Sequence, residues 1–365
     1  MQMLDENWEV VKGLMPRDWL ELAGRTGACR RLRGFESAEQ LLRTLLLHIA
    51  KGYSLRETAV QAKLAKLADV SDVALLKRLR TAEEWFRQLC LAMLEENQVE
   101  LPEGGGRKLR LVDATVVNEP GRTGSLWRLH YSLQLPALLC DYFRLTAAGG
   151  EGSGEAFARI PVEQGDCLLA DAAYCCGSGI AHVAARNADL IVRLNPAAVR
   201  LQRRGWNLLA ALAELQQTGE TREWRVNVDT PQGWLSVRIC AIRKSREQIE
   251  RAHRKLKRKQ SKHGLTVRAE TFEYAQYVIV LTTLTTGTTA QILEWYRIRW
   301  QIELAFKRLK SLVQLGHLPK YDDTSSRAWL YGKLFVALLG QRLMRVGRDI
   351  SPWGYNIAVP TERVA

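Results

Sequence analysis

The chain has 365 residues, of which 47% are apolar, so it can bury at least one large core and divide into two or three domains. Its 53 Lys and Arg against 39 Asp and Glu give a net charge of +14, which favours a polyanionic partner. Nucleic acid fits that charge, although an anionic membrane surface or ribosomal RNA would attract it equally.

The sequence lacks the marks of secretion and of membrane insertion. No charged start followed by an apolar stretch opens the chain, and no run of about 18 apolar residues occurs, so we expect a cytoplasmic protein. Seven cysteines form an odd set without C-x-x-C spacing. We therefore expect reduced, mostly buried thiols and no structural zinc.

The segment 37–101 repeats apolar residues at helical spacing, which predicts several short helices. Ser54-x-x-Glu57 and Thr81-x-x-Glu84 each have the spacing of a capping box that opens a helix. Ser71 can cap a helix between them that ends in Lys77, Arg78 and Arg80. This order is typical of a DNA-binding helix-turn-helix, and equally of a helical bundle with a solvated basic face.

A flexible joint is predicted at Gly104-Gly105-Gly106, where the helical pattern gives way to short apolar runs. The runs are typical of strands and cover residues 109–112, 126–135, 142–146, 168–170 and 190–194, with a short helix at 179–186. This order predicts a mixed α/β domain.

The segment 196–283 has a different character and is predicted to form an inserted, strand-rich subdomain. Strands are expected at 224–228, 234–242 and 277–283, around a helix from Arg243 to Lys262. That helix has ten Lys or Arg and two Glu. A charge run of this kind is often only a solvated face, but like charges four residues apart destabilise a free helix, and a bound phosphate backbone would relieve them.

Two aspartates follow apolar runs. Asp113 comes directly after Leu109–Val112, and Asp171 directly after Leu168–Ala170, so each is expected at or near the end of a buried strand. Either one alone can be a turn or cap residue. Two carboxylates brought together in the crevice at strand ends would need a cation to neutralise them.

A long helix is predicted over TTAQILEWYRIRWQIELAFKRLKSL, beginning at Thr288 or Thr289. At helical spacing, Tyr296, Arg299, Glu303 and Lys310 fall on one narrow stripe, opposite an apolar face that ends at Leu312. Any amphipathic surface helix has such a polar side. Here, however, the single acid lies among cations, which suits a metal-bound carboxylate flanked by phosphate-binding groups.

The spacing Tyr296-x2-Arg299-x3-Glu303-x6-Lys310 resembles the signature helix of the insertion-sequence DDE transposases that excise through a DNA hairpin. Four other blocks are similar to that family in the same order: SLRETA with VSDVALLKRLR, LVDATVV with SLWRLHYSLQL, DAAYCCGSGI, and ADLIVRLN. Ala172-Ala173 departs from the family, whose members often have an arginine and a glycine there. The resemblance covers residues 35–335.

The resemblance implies an α/β fold with a ribonuclease-H-like catalytic core. The core would comprise residues 107–195 and 284–345 and would be interrupted by the insertion at 196–283. A helical DNA-binding domain would precede it at 1–103, and a tail would follow at 346–365.

By position, the resemblance implies that Asp113, Asp171 and Glu303 hold two Mg²⁺ ions, for which Mn²⁺ can substitute. It also implies that four residues bind phosphates near the cleaved end, namely Arg193, Tyr296, Arg299 and Lys310. Trp300 would pack near an unpaired end base or serve in the core. Trp224 and Trp234 are candidates to receive a flipped base. On the basic helix, DNA contacts are predicted for Arg254, Lys255, Lys257 and Arg258.

The function implied is that of a bacterial, nucleoid-associated transposase, which nicks the element ends, forms and opens hairpins, and joins the ends to target DNA. Its partners would be the terminal inverted repeats, target DNA and a second copy of the chain, with no membrane. Two alternatives stay open: an inactive DNA-binding regulator derived from a transposase, and a metal-dependent nuclease without strand transfer.

Overall fold

The computed structural model describes residues 8–96, 106–118, 125–150, 153–264, 266–316, 318–319 and 322–348. Most of the predicted Gly104-Gly105-Gly106 joint and of the predicted tail at 346–365 lies outside these residues. Along the described chain, no helix is both long enough and apolar enough to cross a membrane.

The N-terminal region is helical, as predicted. Its helices are α1 (Trp8–Gly13), α2 (Trp19–Arg25), α3 (Ala38–Lys51), α4 (Leu55–Leu64), α5 (Asp72–Thr81) and α6 (Glu83–Glu96). The capping box of Ser54 and Glu57 is confirmed at the start of α4, and the Ser71 hydroxyl caps α5. The predicted cap at Thr81 is wrong, because Thr81 ends α5 and its hydroxyl donates back to the Arg78 carbonyl.

A single nine-stranded sheet follows, in the spatial order β3-β2-β1-β4-β5-β9-β8-β7-β6. Its strands are β1 (Lys108–Asn118), β2 (Ser125–Gln134), β3 (Leu139–Ala147), β4 (Asp166–Ala170), β5 (Asp189–Arg193), β6 (Leu201–Gln202), β7 (Thr221–Thr230), β8 (Gly233–Arg243) and β9 (Tyr277–Thr282). Strands β1 to β3 form an antiparallel meander, and β4 and β5 run parallel to β1 on its other side. This arrangement confirms the expected ribonuclease-H-like α/β core.

The strands predicted for the insertion are present, and they extend the same sheet. β9 pairs antiparallel with β5, and β8, β7 and β6 follow outward. The domain limits at 196 and 283 stay a prediction, but the backbone hydrogen bonds run unbroken from the core strands into this region.

Helices cover both faces of the sheet. They are α7 (Gly177–Ala184), α8 (Leu208–Ala213), α9 (Arg246–His263), α10 (Ala269–Tyr274), α11 (Thr289–Ile298), α12 (Trp300–Ser311) and α13 (Asp323–Arg348), with short 3-10 helices at Phe157–Arg159 and Ala172–Tyr174. One apolar core lies under α7 and α8, and the other joins α11, α12, α13 and the N-terminal helices to β1–β3. α13 is fastened to the N-terminal helix α6, since Arg327 pairs with Glu83 and Arg342 with Glu96.

The predicted long helix is two helices. Thr288 caps α11 as expected, but the chain turns at Arg299, whose N–H bonds to the Tyr296 carbonyl three residues back. This tighter turn rotates α12 relative to α11. The expected faces therefore change: Tyr296 is buried at 8% exposure, and Leu312, placed by the pattern on the apolar face, is 78% exposed.

Candidate active site

The parallel register between β1 and β4 brings Asp113 and Asp171 together. Lys108 pairs with Asp166, and the register runs on to Leu111 and Leu169. Two residues further along both strands, Asp113 lies opposite Asp171, beyond the last residues that pair. Asp113 and Asp171 are 58 residues apart in sequence, which is the same offset as between the paired residues Lys108 and Asp166. The pairing of β1 with β4 therefore places the two aspartates side by side.

The sequence suggested that Asp113 lies at or near the end of a strand, but it lies within β1. β1 continues to Asn118 because residues 114–118 still pair with β2. The carboxylate nevertheless stands where the parallel pairing with β4 stops. Asp171 directly follows β4 and caps the 3-10 helix Ala172–Tyr174, accepting a hydrogen bond from the Ala173 N–H at 2.8 Å.

A third acid joins them. Carboxylate oxygens of Asp113, Glu155 and Asp171 lie within 4.8 Å of one another, and this is the one such group of three among the described residues. We call these three residues the acid cluster. Sequence reasoning missed Glu155, because it lies in the glycine-rich stretch before β4 and follows no strand pattern.

Two contacts hold the segment that carries Glu155. The Phe157 ring packs on Tyr174 with ring centroids 5.1 Å apart, and the Tyr142 hydroxyl donates to the Arg159 carbonyl at 2.7 Å. A Cβ at Gly179 would come 3.2 Å from the Phe157 ring, so the glycine allows this close approach. Because both contacts anchor this segment, Glu155 is presented to the other acids from a fixed loop.

Burial and mutual repulsion act on the cluster. Burial raises the pKa of Asp113 to about 7, and the nearby Asp171 charge adds to the effect of burial. Burial also raises the pKa of Glu155, again together with Asp171. Three partly buried carboxylates are costly without a cation, and clustered carboxylate oxygens are the ligands that Mg²⁺ and Mn²⁺ prefer. The cluster therefore fits a divalent metal.

Glu303, the third predicted metal ligand, is held outside the acid cluster. Its carboxylate accepts a hydrogen bond from Arg299, and its side chain is 59% exposed. The same guanidinium lies 3.9 Å from the Asp113 carboxylate. Arg299 thus stands between Glu303 and the aspartates, and the predicted triad of Asp113, Asp171 and Glu303 stays a prediction.

Three of the predicted phosphate-binding residues converge beside the cluster. The Tyr296 hydroxyl is near Arg299, Arg193 and Asp171: burial raises its pKa, the two arginines lower it, and the aspartate raises it. Arg193 ends β5 and donates to the Tyr277 carbonyl at 3.4 Å. These side chains form a cationic border along the acids.

The other two predicted residues of this helix pair lie further out on α12. Lys310 lines an open groove of about 540 Å³ together with Glu303, Phe306, Lys307 and Ser311. Trp300 is 48% exposed, so of its two predicted roles the structure disfavours the one in the core.

The candidate base-receiving tryptophans differ in burial. Trp224 is buried at 8% exposure in the core under α8, where its ring lies 6.1 Å from that of Trp206. Trp234 is 46% exposed at the start of β8, with the Arg200 guanidinium 5.9 Å from its ring centroid. Only the second could meet DNA without disrupting the core.

The basic helix α9 begins at the edge of the sheet where the acids lie. β9 is antiparallel to β5, and β8 is antiparallel to β9. The last residue of β8, Arg243, therefore lies at this edge, where it pairs with Tyr277. The Tyr277 carbonyl in turn accepts a hydrogen bond from Arg193. The chain then enters α9 after Ser245. The four predicted DNA-binding side chains of α9 are all exposed: Arg254, Lys255, Lys257 and Arg258.

Unlike those four exposed residues of α9, two of the three basic residues of α5 contact other parts of the protein. Arg78 donates to the backbone carbonyls of Arg31 and Arg33, and Arg80 pairs with Asp322 at 3.1 Å. Lys77 is exposed. Because two of these three cations are engaged within the protein, the contacts favour the helical-bundle alternative for this segment.

Comparisons with known proteins identify the family of the chain. The Transposase DDE domain family matches residues 153–339. The transposase for insertion sequence element IS421 of Escherichia coli is 32% identical over 96% of this chain and 98% of its own length. The transposase for insertion sequence element IS231B of Bacillus thuringiensis subsp. berliner is 28% identical over 29% of this chain and 22% of its own. A piggyBac transposase synaptic complex with hairpin DNA aligns with a TM-score of 0.47 and 8% identity, over 93% of this chain and 74% of that one. On the family match and the IS421 relative, the chain belongs to the insertion-sequence DDE transposases, which are metal-dependent nucleases and strand transferases.

Proposed function

We propose that the protein nicks the ends of an insertion sequence, forms and opens hairpins there, and joins the freed ends to target DNA. Asp113, Asp171 and Glu303 would serve as the metal ligands. The observation that carries the proposal is the meeting of Asp113 and Asp171 at the end of the parallel pairing between β1 and β4, beside Arg193 of β5 and Arg299 at the turn between α11 and α12. Two Mg²⁺ ions bound there would activate the attacking water or 3′-hydroxyl and stabilise the leaving oxygen.

The protein's own residues would position the DNA end. Arg299 is bound to Glu303 and lies 3.9 Å from Asp113, so it offsets the charge of both acids. A DNA phosphate can compete for the same guanidinium, because Arg binds phosphate and carboxylate through the same pair of N–H groups. Phosphate binding by Arg299 would free Glu303 to turn toward the aspartates.

The DNA path we propose runs from the acid cluster along the sheet edge to α9. From β4 to β8 there are three strand spacings, or about 14 Å, which is within a few nucleotides of the cleaved end. Arg193 ends β5, the strand next to β4, and α9 begins beyond β8. Because α9 begins at the edge where Arg193 and the acids lie and its cations are exposed, we favour a backbone-binding role for α9 over a merely solvated face.

An unpaired base would have two exposed aromatic rings to stack on. Trp300 follows Arg299 directly, and Trp234 lies at the turn between β7 and β8. Stacking on exposed indole rings accommodates any base, which suits a base that must leave the helix during hairpin formation. We therefore assign the end base to Trp300 first.

Two element ends must be brought together before joining, so we propose a homodimer in the synaptic complex, acting on chromosomal DNA at the bacterial nucleoid. The terminal inverted repeats would be bound by the exposed cations of α9 and by the N-terminal domain. Binding would depend steeply on salt, because each neutralised phosphate releases counterions.

The test is a cleavage assay on DNA that carries the two ends flanking the coding region. With Mg²⁺, the full-length protein should yield nicked, hairpin and joined products. Nicked DNA without hairpins or joining would favour the nuclease alternative. End binding without cleavage in either Mg²⁺ or Mn²⁺ would favour the inactive regulator.

A further inference from the structure

We propose that Glu155 is an additional carboxylate ligand of the metal centre, sharing an ion with Asp171, and that the buried Tyr174 hydroxyl donates a hydrogen bond to this centre. The inference rests on the proposed metal-dependent function and deepens it. It adds to the triad a residue that the resemblance does not include.

The position of Glu155 supports a ligand role. Its carboxylate lies within 4.8 Å of those of Asp113 and Asp171, which is the distance at which oxygens can share one or two bound ions. Glu303 does not belong to any such group in the described parts of the chain. Without movement of any backbone, Glu155 is therefore better placed than Glu303 to contact an ion held by the aspartates.

The surrounding contacts fix Glu155 in this position. The 3-10 helix beside it is fastened to Tyr174 through Phe157 and to β3 through Tyr142. Arg128 of β2 pairs with the Glu155 carboxylate at 3.2 Å. The contacts of Phe157 and Tyr142 hold the backbone that carries Glu155, and metal sites with tight binding have ligands positioned by neighbouring residues in this way.

Tyr174 gives an independent indication of a ligand at this place. The residue is completely buried, yet its hydroxyl has no hydrogen-bond partner among the described residues. The hydroxyl is near all three acids: burial raises the pKa of Tyr174, and the charges of Asp113, Glu155 and Asp171 raise it further. A buried hydroxyl without a partner is costly. A water on the ion, or a carboxylate turned by the ion, would supply the partner.

The competing explanation is that Glu155 serves only to neutralise Arg128. In that case the two residues form an ordinary ion pair between β2 and the loop, and loss of either one should have the same effect. As a metal ligand, Glu155 would instead have Arg128 as a competitor for its charge. The two explanations thus predict opposite results for Arg128.

The experiment is a calorimetric titration of the metal-free, full-length protein with Mn²⁺ in the absence of DNA. We expect Glu155→Gln to weaken Mn²⁺ binding at least about tenfold, and Tyr174→Phe to weaken it by less. Arg128→Gln should bind no more weakly than the wild type. The matched control is Glu223→Gln, which removes another arginine-paired carboxylate, that of Glu223 with Arg238, far along the sheet on β7. This control should leave Mn²⁺ binding unchanged.

Near-ultraviolet circular dichroism of each variant shows whether it is folded. Glu155→Asp is a second variant, which keeps a carboxylate and should recover part of the Mn²⁺ affinity. Wild-type affinity in Glu155→Gln would overturn the proposal, as would an equal loss in Arg128→Gln. Unchanged binding in Tyr174→Phe would remove the hydroxyl from the centre. If the wild type itself bound no Mn²⁺, the proposed metal-dependent function would fail as well; if only Asp113→Asn and Asp171→Asn lost binding, the function would stand without Glu155.

Discussion

The acid cluster and the basic helix α9, which begins at the same edge of the sheet, are assembled in different ways. The acids come from β1, from the loop before β4 and from the end of β4, and they are partly buried. The cations of α9 are contiguous in sequence and exposed. Groups that bind metal ions must converge and lose water, whereas groups that bind a phosphate backbone must stay accessible. On the proposed function, the first region would supply the chemistry and the second the affinity for DNA.

The largest expected effect separates these two roles. Glu303→Gln should slow cleavage on the order of 10³-fold, because it removes a charge needed at the reacting centre, and should leave end binding nearly intact. Product gels and filter binding measure the two quantities. Glu294→Gln is the matched control, since Glu294 is also exposed and also pairs with an arginine, Arg297. Cleavage in Mg²⁺ by Glu303→Gln would refute the role of this residue.

The second prediction concerns α9 and has the opposite outcome, with weaker DNA binding and cleavage retained. Replacing the four α9 cations that are predicted to contact DNA by glutamine should weaken DNA binding and lower the slope of log affinity against log salt by about 0.9 for each phosphate that α9 no longer neutralises. Cleavage at saturating DNA should persist. The substitutions are Arg254→Gln, Lys255→Gln, Lys257→Gln and Arg258→Gln.

A control set keeps the same change in net charge. It neutralises four cations that pair with acids within the protein, namely Lys12, Arg87, Arg222 and Arg297. This set should leave the salt slope near that of the wild type. If the α9 variant also keeps the wild-type slope, α9 is a solvated spacer, and the contrast between the two regions disappears.

The third prediction concerns the cost of burying the acids. Asp113 keeps its proton to about pH 7 in the folded protein but loses it near pH 4 when unfolded, so the folded state binds more protons between these values. The free energy of unfolding of the metal-free protein should therefore fall as pH rises from about 4 to 7, by up to about 1.4 kcal/mol per pH unit from this group. Urea denaturation at pH 5 and pH 8 should show that Asp113→Asn gains stability over the wild type at the higher pH. An equal difference between the two proteins at both pH values would contradict this prediction.

The smallest effect expected on DNA binding is that of Trp300, an exposed aromatic residue, and it contrasts with that of the buried Trp224. Trp300→Ala should weaken binding to DNA with an unpaired end base by about 1–3 kcal/mol, the scale of one base stacked on an aromatic ring, without changing thermal stability. Trp224→Ala should do the reverse: it should lower the free energy of unfolding by about 3–5 kcal/mol, because this side chain is buried. Fully paired DNA is the control substrate for Trp300→Ala. Equal losses on paired and unpaired ends would exclude stacking.

Much of the fold could be predicted from local patterns. The strand that leads to Asp171 and the helix caps at Ser54, Ser71 and Thr288 are confirmed, since they depend on neighbouring residues. The break at Arg299 could not be predicted, because the apolar spacing is continuous across it. The ion pair of Arg80 could not be predicted either, because its partner Asp322 lies far away in the chain.

For the site, the sequence determined the residue types at Asp113, Asp171 and Glu303 and the basic character of α9, because a strand end, a signature spacing and a charge run are local properties. The tertiary structure decided which acids meet. Strand register brought Asp113 to Asp171, a packed aromatic pair brought Glu155 to both, and a turn left Glu303 bound to Arg299. The reason is physical: distances between carboxylates are set by the packing of segments remote in sequence, and no local pattern encodes them.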